Sequence, residues 1–122
     1  MTIHDHAHAL VKALKDSPEF ENFKQKQAKL QDDSTARKMV ADLRKVQWKI
    51  ERQRITGLEI AHEDDEQLTR LMEVINLNII VKEYLEVEYK FSIILNDVQK
   101  IIGEAMQEIF TPELWELEEG QP

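Results

Sequence analysis

From Ile79 to Phe110 the chain holds a helical pattern, unbroken by proline, that carries more apolar side chains than one helix can hide by itself. Read in a seven-residue repeat, one seam is Val81, Tyr84, Glu88, Phe91, Leu95, Val98, Ile102, Ala105 and Ile109, polar only at Glu88. A second row, Ile80, Val87, Ile94 and Ile101, lies beside it and widens the face beyond the stripe of an ordinary surface helix. Such a helix needs cover on two sides. Other helices of the chain supply part of it, and the rest is expected from a second copy, with Ile80, Val87, Phe91, Ile94, Val98 and Ile101 as the interface.

The 122 residues fit one helical domain, long enough to bury about 65 to 70% of the unfolded surface. With 33% charged residues and only three glycines and three prolines, the composition is that of long helices, and extended β structure is not expected. The fold predicted is all-α: a long antiparallel helical hairpin with shorter N-terminal helices, packing as a helical-bundle homo-oligomer. Sixteen basic against 24 acidic residues give a net charge of -8, which opposes the counterion release behind most nucleic-acid binding. The absence of cysteine excludes disulfides, thiolate metal sites and thiol catalysis. The first fifteen residues carry three His and an Asp, unlike a signal peptide, and no apolar run approaches 18 residues, so the expectation is a cytoplasmic protein with no membrane span.

Cap and breaker residues divide the chain. Thr2 with Asp5 starts a helix over 3–16 with Ile3, Ala7, Leu10, Val11 and Leu14 on one face. Ser17 and Pro18 restart it over 18–31, which buries Phe20, Phe23 and Leu30. Asp32, Asp33 and Ser34 cap a third helix over 34–56, whose seam is Ala36, Met39, Leu43, Val46, Ile50 and Gln53 and which ends at Gly57. The hairpin loop 57–62 offers Leu58 and Ile60 to pin it to the core. Glu63, Asp64, Asp65 and Glu66 then open a fourth helix, 63–76, where the macrodipole favours negative charge. A kink or short break is expected at 76–78, where Asn78 either caps the long helix 79–110 or is absorbed into one continuous rod, and 111–122 reads as a short or frayed tail bearing Leu114, Trp115 and Leu117 among glutamates. An internal echo links residues 17–30 to 78–91: cap, aromatic, polar seam residue and apolar anchor recur at the same spacing, as in two like helices packed about a pseudo-symmetric centre.

Chemistry is harder to find. Glu88 interrupts the apolar seam, where an unpaired carboxylate is costly, so a Lys, Arg, Tyr or amide partner that fixes helix register is expected; Gln27 at the echoed position argues against catalysis or metal binding. His4 and His8 share one helical face, but His6 points elsewhere and no third ligand is evident. Glu59-Ile-Ala-His62 has the spacing of one di-iron element, where a bundle site needs two and further inward carboxylates. Phosphate-binding glycine loops and nucleophile elbows are absent from the sequence. The expectation is therefore a non-enzyme with no catalytic, cofactor-binding or metal residues. Arg37, Lys38, Arg44, Lys45, Lys49 and Arg52 form a basic stripe with Trp48 among them. Total charge favours a solvated face, or pairing of this stripe with acidic segments such as Glu63 to Glu66 or Glu113 to Glu119 of a neighbour, over direct contact with RNA.

Four stretches resemble a known family: Ser17-Pro-Glu-Phe-x-x-Phe; Val46-Gln-x-x-Ile-x-x-Gln-x-x-x-Gly57-x-x-Ile60; Val81-Lys-Glu-Tyr-Leu-Glu-Val-Glu88; and Leu95-Asn-Asp-Val-x-x-Ile101-Ile102. Together, over residues 5 to 110, they are similar to the YlbF/YmcA family of small helical bacterial proteins, and in length and ending to its YheA-like branch. The resemblance implies an all-α hairpin fold, dimers or higher oligomers, and a Gram-positive-type cytoplasm. Better-studied branches are regulatory adaptors in a complex acting on ribonuclease Y, and so on RNA processing, competence, sporulation and biofilm formation. Those branches carry C-terminal cysteines linked to iron-sulfur clusters, and this chain has none, so no cluster carries over.

Overall fold

A computed structural model describes residues 1–57, 59 and 61–109. Five helices follow one another: α1 (Ile3–Lys15), α2 (Pro18–Gln31), α3 (Ser34–Ile55), α4 (His62–Asn76) and α5 (Ile79–Ala105), with no strand among the described residues. Local chemistry accounts for most boundaries. Thr2 and Asp5 form a reciprocal capping box at the start of α1. The Ser17 hydroxyl accepts from the Phe20 amide at 3.2 Å, ahead of Pro18 in the first turn of α2. Of the three cap candidates before α3 the structure uses Asp33, which accepts from the Ala36 amide at 2.9 Å. Gly57, at φ 76°, takes the left-handed position after α3. The break before α5 is a clean stop and restart: Leu77 closes α4, and the Asn78 side chain accepts from the Val81 amide at 3.1 Å.

The long helix stops at Ala105, five residues short of the Phe110 limit read from the sequence, and residues 106–109 form tight turns. Gly103 costs about 1 kcal/mol relative to alanine in a helix, and no buried side chain holds the last turns in place. Shorter-range bonds, from the Met106 amide to the Gly103 carbonyl and from the Ile109 amide to the Met106 carbonyl, take over.

Packing follows two helix pairs. The more extensive is α2 along α5. It is antiparallel, because Phe20 packs at a tilt against Phe91 (5.6 Å between ring centres), Phe23 meets Tyr84 edge to face (5.8 Å), and Lys26 Nζ meets Glu83 Oε2 at 2.5 Å. Phe23 and Tyr84 hold equivalent places in the internal echo, so the two echoed stretches meet near their midpoints. The second pair is the α3–α4 hairpin, in which Val46 and Ile50 of α3 are buried. The two pairs join around Leu30, Ala36, Leu43, Ile75, Val81 and Tyr84, with Ile80 and Leu68 packed against that cluster. Met39 Sδ lies 3.5 Å from Asn78 Nδ2, and Arg44 reaches Glu88, so α3 and α5 run in the same direction. Among the described residues no helix is long and apolar enough to cross a membrane. Leu58 and Ile60, read as pins for the hairpin loop, and the tail residues Leu114, Trp115 and Leu117 lie outside the described residues. Within the loop Gln53 has the visible role: its Nε2 donates to Asp64 at 2.7 Å and its Oε1 accepts from the Ala61 amide at 2.8 Å. That amide belongs to the residue capping α4, which has no side-chain cap of its own.

Candidate interaction surfaces

Glu88 lies on α5 where the sequence expects a buried carboxylate, and the structure leaves its side chain 29% exposed. Its partner is the guanidinium of Arg44, 44% exposed, which donates to Glu88 Oε1. Tyr84, one turn earlier, has its phenol pKa raised, first by burial and then by its hydrogen bond with Glu88 and the charge there. The three side chains tie α3 to α5 at one level, and none is left as a buried polar group without a partner. A charge pair this open to water does not carry the desolvation cost of a buried ion pair.

Pairing with Glu88 removes Arg44 from the basic stripe as drawn from the sequence. Arg37 leaves it as well, its Nη1 donating to the Gln31 carbonyl across the α2–α3 turn. Helical phase accounts for the division: Lys38, Lys45, Lys49 and Arg52 fall within about 60° of one another on α3, and Arg37 and Arg44 about 100° round. The four remaining cations form no ion pair with any described carboxylate, Glu63 to Glu66 included; Glu66 pairs instead with His62 (2.9 Å) and Arg70 (3.9 Å). Beside them Trp48 is 63% exposed. Trp48, Lys45, Lys49 and Arg52, with Asp42 below and Gln67 of α4 opposite, line an open hollow of about 270 Å³.

A separate apolar surface occupies the far half of α5. From Ser92 to Ala105 this helix buries no side chain. Of the residues expected to meet a second chain, Phe91 is covered inside the molecule by Phe20 and Phe23, and Ile80 packs on the core cluster. Val87, Ile94 and Val98 are half-buried, and Ile101 is 67% exposed. Leu95 and Ile102 extend the same face into solvent. The antiparallel pairing explains this: α2 begins at Pro18, level with the turn after Phe91, and covers nothing further along. The preceding helix, α1, touches α2 alone and buries none of its side chains, although Leu10, Val11 and Leu14 share one face.

His4, His6 and His8 are exposed on α1, and among the described residues no three His, Asp or Glu side chains gather as metal ligands. Glu59 precedes α4 in the hairpin loop, and His62 is exposed at the first turn of α4, away from the bundle interior.

The architecture is that of a small all-helical protein built on an antiparallel helix pair. The chain belongs to the YlbF/YmcA family: the family model described as control of competence regulator ComK, YlbF/YmcA matches residues 3–107. Similar proteins include a UPF0342 protein of Halothermothrix orenii, 35% identical with 84% of this chain and 86% of that protein covered. Another is a UPF0342 protein of Caldicellulosiruptor saccharolyticus, 38% identical over 85% of this chain and 87% of its own length. Among solved structures, a protein of unknown function (DUF964) from Bacillus stearothermophilus superposes with a TM-score of 0.73 at 25% identity, covering 89% of this chain and 96% of that one. A chain from the crystal structure of Bacillus subtilis RicA in complex with RicF shares the fold at a TM-score of 0.58 and 22% identity, covering 87% and 94%.

Proposed function

We propose that the protein is a non-enzymatic regulatory adaptor that self-associates and acts through protein–protein contacts in the cytoplasm, with a role linked to RNA processing, competence, sporulation or biofilm control. The observation that carries this reading is the uncovered apolar run of α5 at Leu95, Ile101 and Ile102, a contiguous face of the kind that marks an interaction site. Family membership supports it, as does the assembly of RicA with RicF in a structural relative. A ribonuclease-associated complex is the partner class the resemblance suggests. Direct nucleic-acid binding by Lys38, Lys45, Lys49 and Arg52 is the alternative, opposed by a net charge of -8. Light scattering at micromolar concentration tests the first part: a multimer is expected, and a monomer overturns the self-association. A tagged pull-down from the native cell under mild cross-linking, repeated after ribonuclease treatment, tests the second. Recovery of ribonuclease-complex proteins in both samples supports the adaptor, whereas recovery only before treatment favours an RNA bridge.

A further inference from the structure

Two apolar faces of this chain lack a partner, and they match. Helix α1 carries Ile3, Ala7, Leu10 and Leu14 at spacings of four, three and four; the far half of α5 carries Ile94, Val98, Ile101 and Ala105 at the same spacings. The thirteen residues of α1 span about 20 Å, and Ser92 to Ala105 about 21 Å, at 1.5 Å per residue. An isolated helix as short as α1 is marginal in water, and α1 has a full capping box but no buried side chain. It needs an apolar partner. We propose that α1 is an exchanged arm: in the assembled protein it lies along the far half of α5 of a second copy, and that copy's α1 returns the contact.

The turn between α1 and α2 keeps the arm from covering its own α5. The Ser17 hydroxyl donates to the Leu14 carbonyl at 2.6 Å and accepts from the Phe20 amide at 3.2 Å, so one side chain ties the last turn of α1 to the first turn of α2. Pro18 fixes its own φ, and Lys12 closes on Asp16 at 2.5 Å. With the turn held in this way, α1 makes no backbone approach to α5 of its own chain. A two-fold pair satisfies both arms and both α5 faces by one repeated contact.

Charge sets the direction. His4, His8 and Lys15 lie within about 40° of one another along one edge of the α1 face, and Asp97 and Glu104 within about 20° along one edge of the α5 face. Neither Lys15 nor Asp97 has an ion-pair partner among the described residues. These edges flank opposite sides of their seams, and helices running in the same direction bring opposite flanks together. With Leu10 level with Ile101, Lys15 falls within one turn of Glu104 and His8 within one turn of Asp97. Asp5 and Asp16 stay on the outer side of α1, away from these carboxylates.

This pairing rests on the self-association proposed above, and cysteine cross-linking separates the two. The sequence has no cysteine, so an introduced pair reports one contact alone. Full-length Leu10→Cys and Ile101→Cys chains, one carrying a size tag, are co-expressed, oxidised mildly and resolved without reductant. A tagged–untagged disulfide dimer as the main product is expected. Both positions are free of core packing, so neither change disturbs the fold. Leu10→Cys and Ile101→Cys in one chain should give linked multimers; an intrachain-linked monomer would mean that the arm folds onto its own α5 and overturns the proposal. Leu14→Cys with Ile94→Cys links only helices that run in opposite directions, and a dimer from that pair overturns the stated direction. A wild-type multimer by light scattering that yields no Leu10–Ile101 link leaves self-association standing and removes the arm. A wild-type monomer removes both. Leu10→Glu with Leu14→Glu is expected to convert the multimer to monomer with the helicity of α2 to α5 retained, and an unchanged multimer counts against the arm.

Discussion

Glu88 shows how far a single residue can be read from its neighbours in sequence. Its place in an apolar seam calls for a partner, and Arg44 lies within reach, but the energy at stake depends on solvent. With side chains 29% and 44% exposed, the Glu88–Arg44 pair belongs with surface ion pairs, and a double-mutant cycle with Glu88→Gln and Arg44→Met is expected to return a coupling of about 0.2 to 1 kcal/mol in chemical denaturation. A coupling of several kcal/mol would mean that the site is dry in the assembled protein. Lys26 and Glu83 give a second residue-scale prediction. The hydrogen bond from Lys26, and then its charge, hold the Glu83 carboxyl below its ordinary value of 4.5. A depressed carboxylate stabilises the fold above its unfolded value and ceases to do so as pH falls through the folded one. The stability advantage of the native protein over Glu83→Gln is therefore expected at pH 6 and should shrink as the solution is acidified below 4.5. An advantage that stays constant down to pH 3 would remove the ion pair as its source.

At the scale of elements, the caps did most of the work. Thr2, Ser17, Asp33, Gly57 and Asn78 are short-range devices whose effect is set within three or four residues, which is why the start of each capped helix is legible without a structure. Asn78 is the clearest case, because it separates two helices that could have run together. Asn78→Ala is expected to cost about 1 kcal/mol and to lower the thermal midpoint, the typical loss for an N-cap. An unchanged midpoint would show that burial of Ile75 and Val81 on either side of the cap is enough to hold the break. The end of α5 was less legible: an apolar repeat that continues to Ile109 reads as helix, but the repeat is only as strong as the surface that covers it. The basic stripe was mis-drawn for a related reason. Counting cations along α3 puts six together, whereas helical phase and the neighbouring helices divide them into four facing outward and two turned toward α2 and α5.

For the whole molecule, the uncovered half of α5 sets the expectation. If that face meets a second copy, Ile101→Glu with Ile102→Glu places two charges in an apolar contact, and light scattering should show the wild-type multimer replaced by monomer while helicity is retained. The same multimer in the variant would transfer the interface elsewhere, with the apolar face of α1 as the next surface to test. The amino-acid sequence by itself determined the helices, their caps and the excess of apolar surface on α5, because each depends on neighbours a few residues apart or on summed composition. Only the tertiary structure decided which of those residues the chain covers for itself. Phe91 and Ile80 are satisfied internally, Ile101 and Ile102 are not, Arg44 is spoken for, and Lys49 and Arg52 stand free of the described carboxylates. Those distinctions depend on where α2 begins along α5 and on which way α3 faces, relations between segments dozens of residues apart that no local pattern encodes.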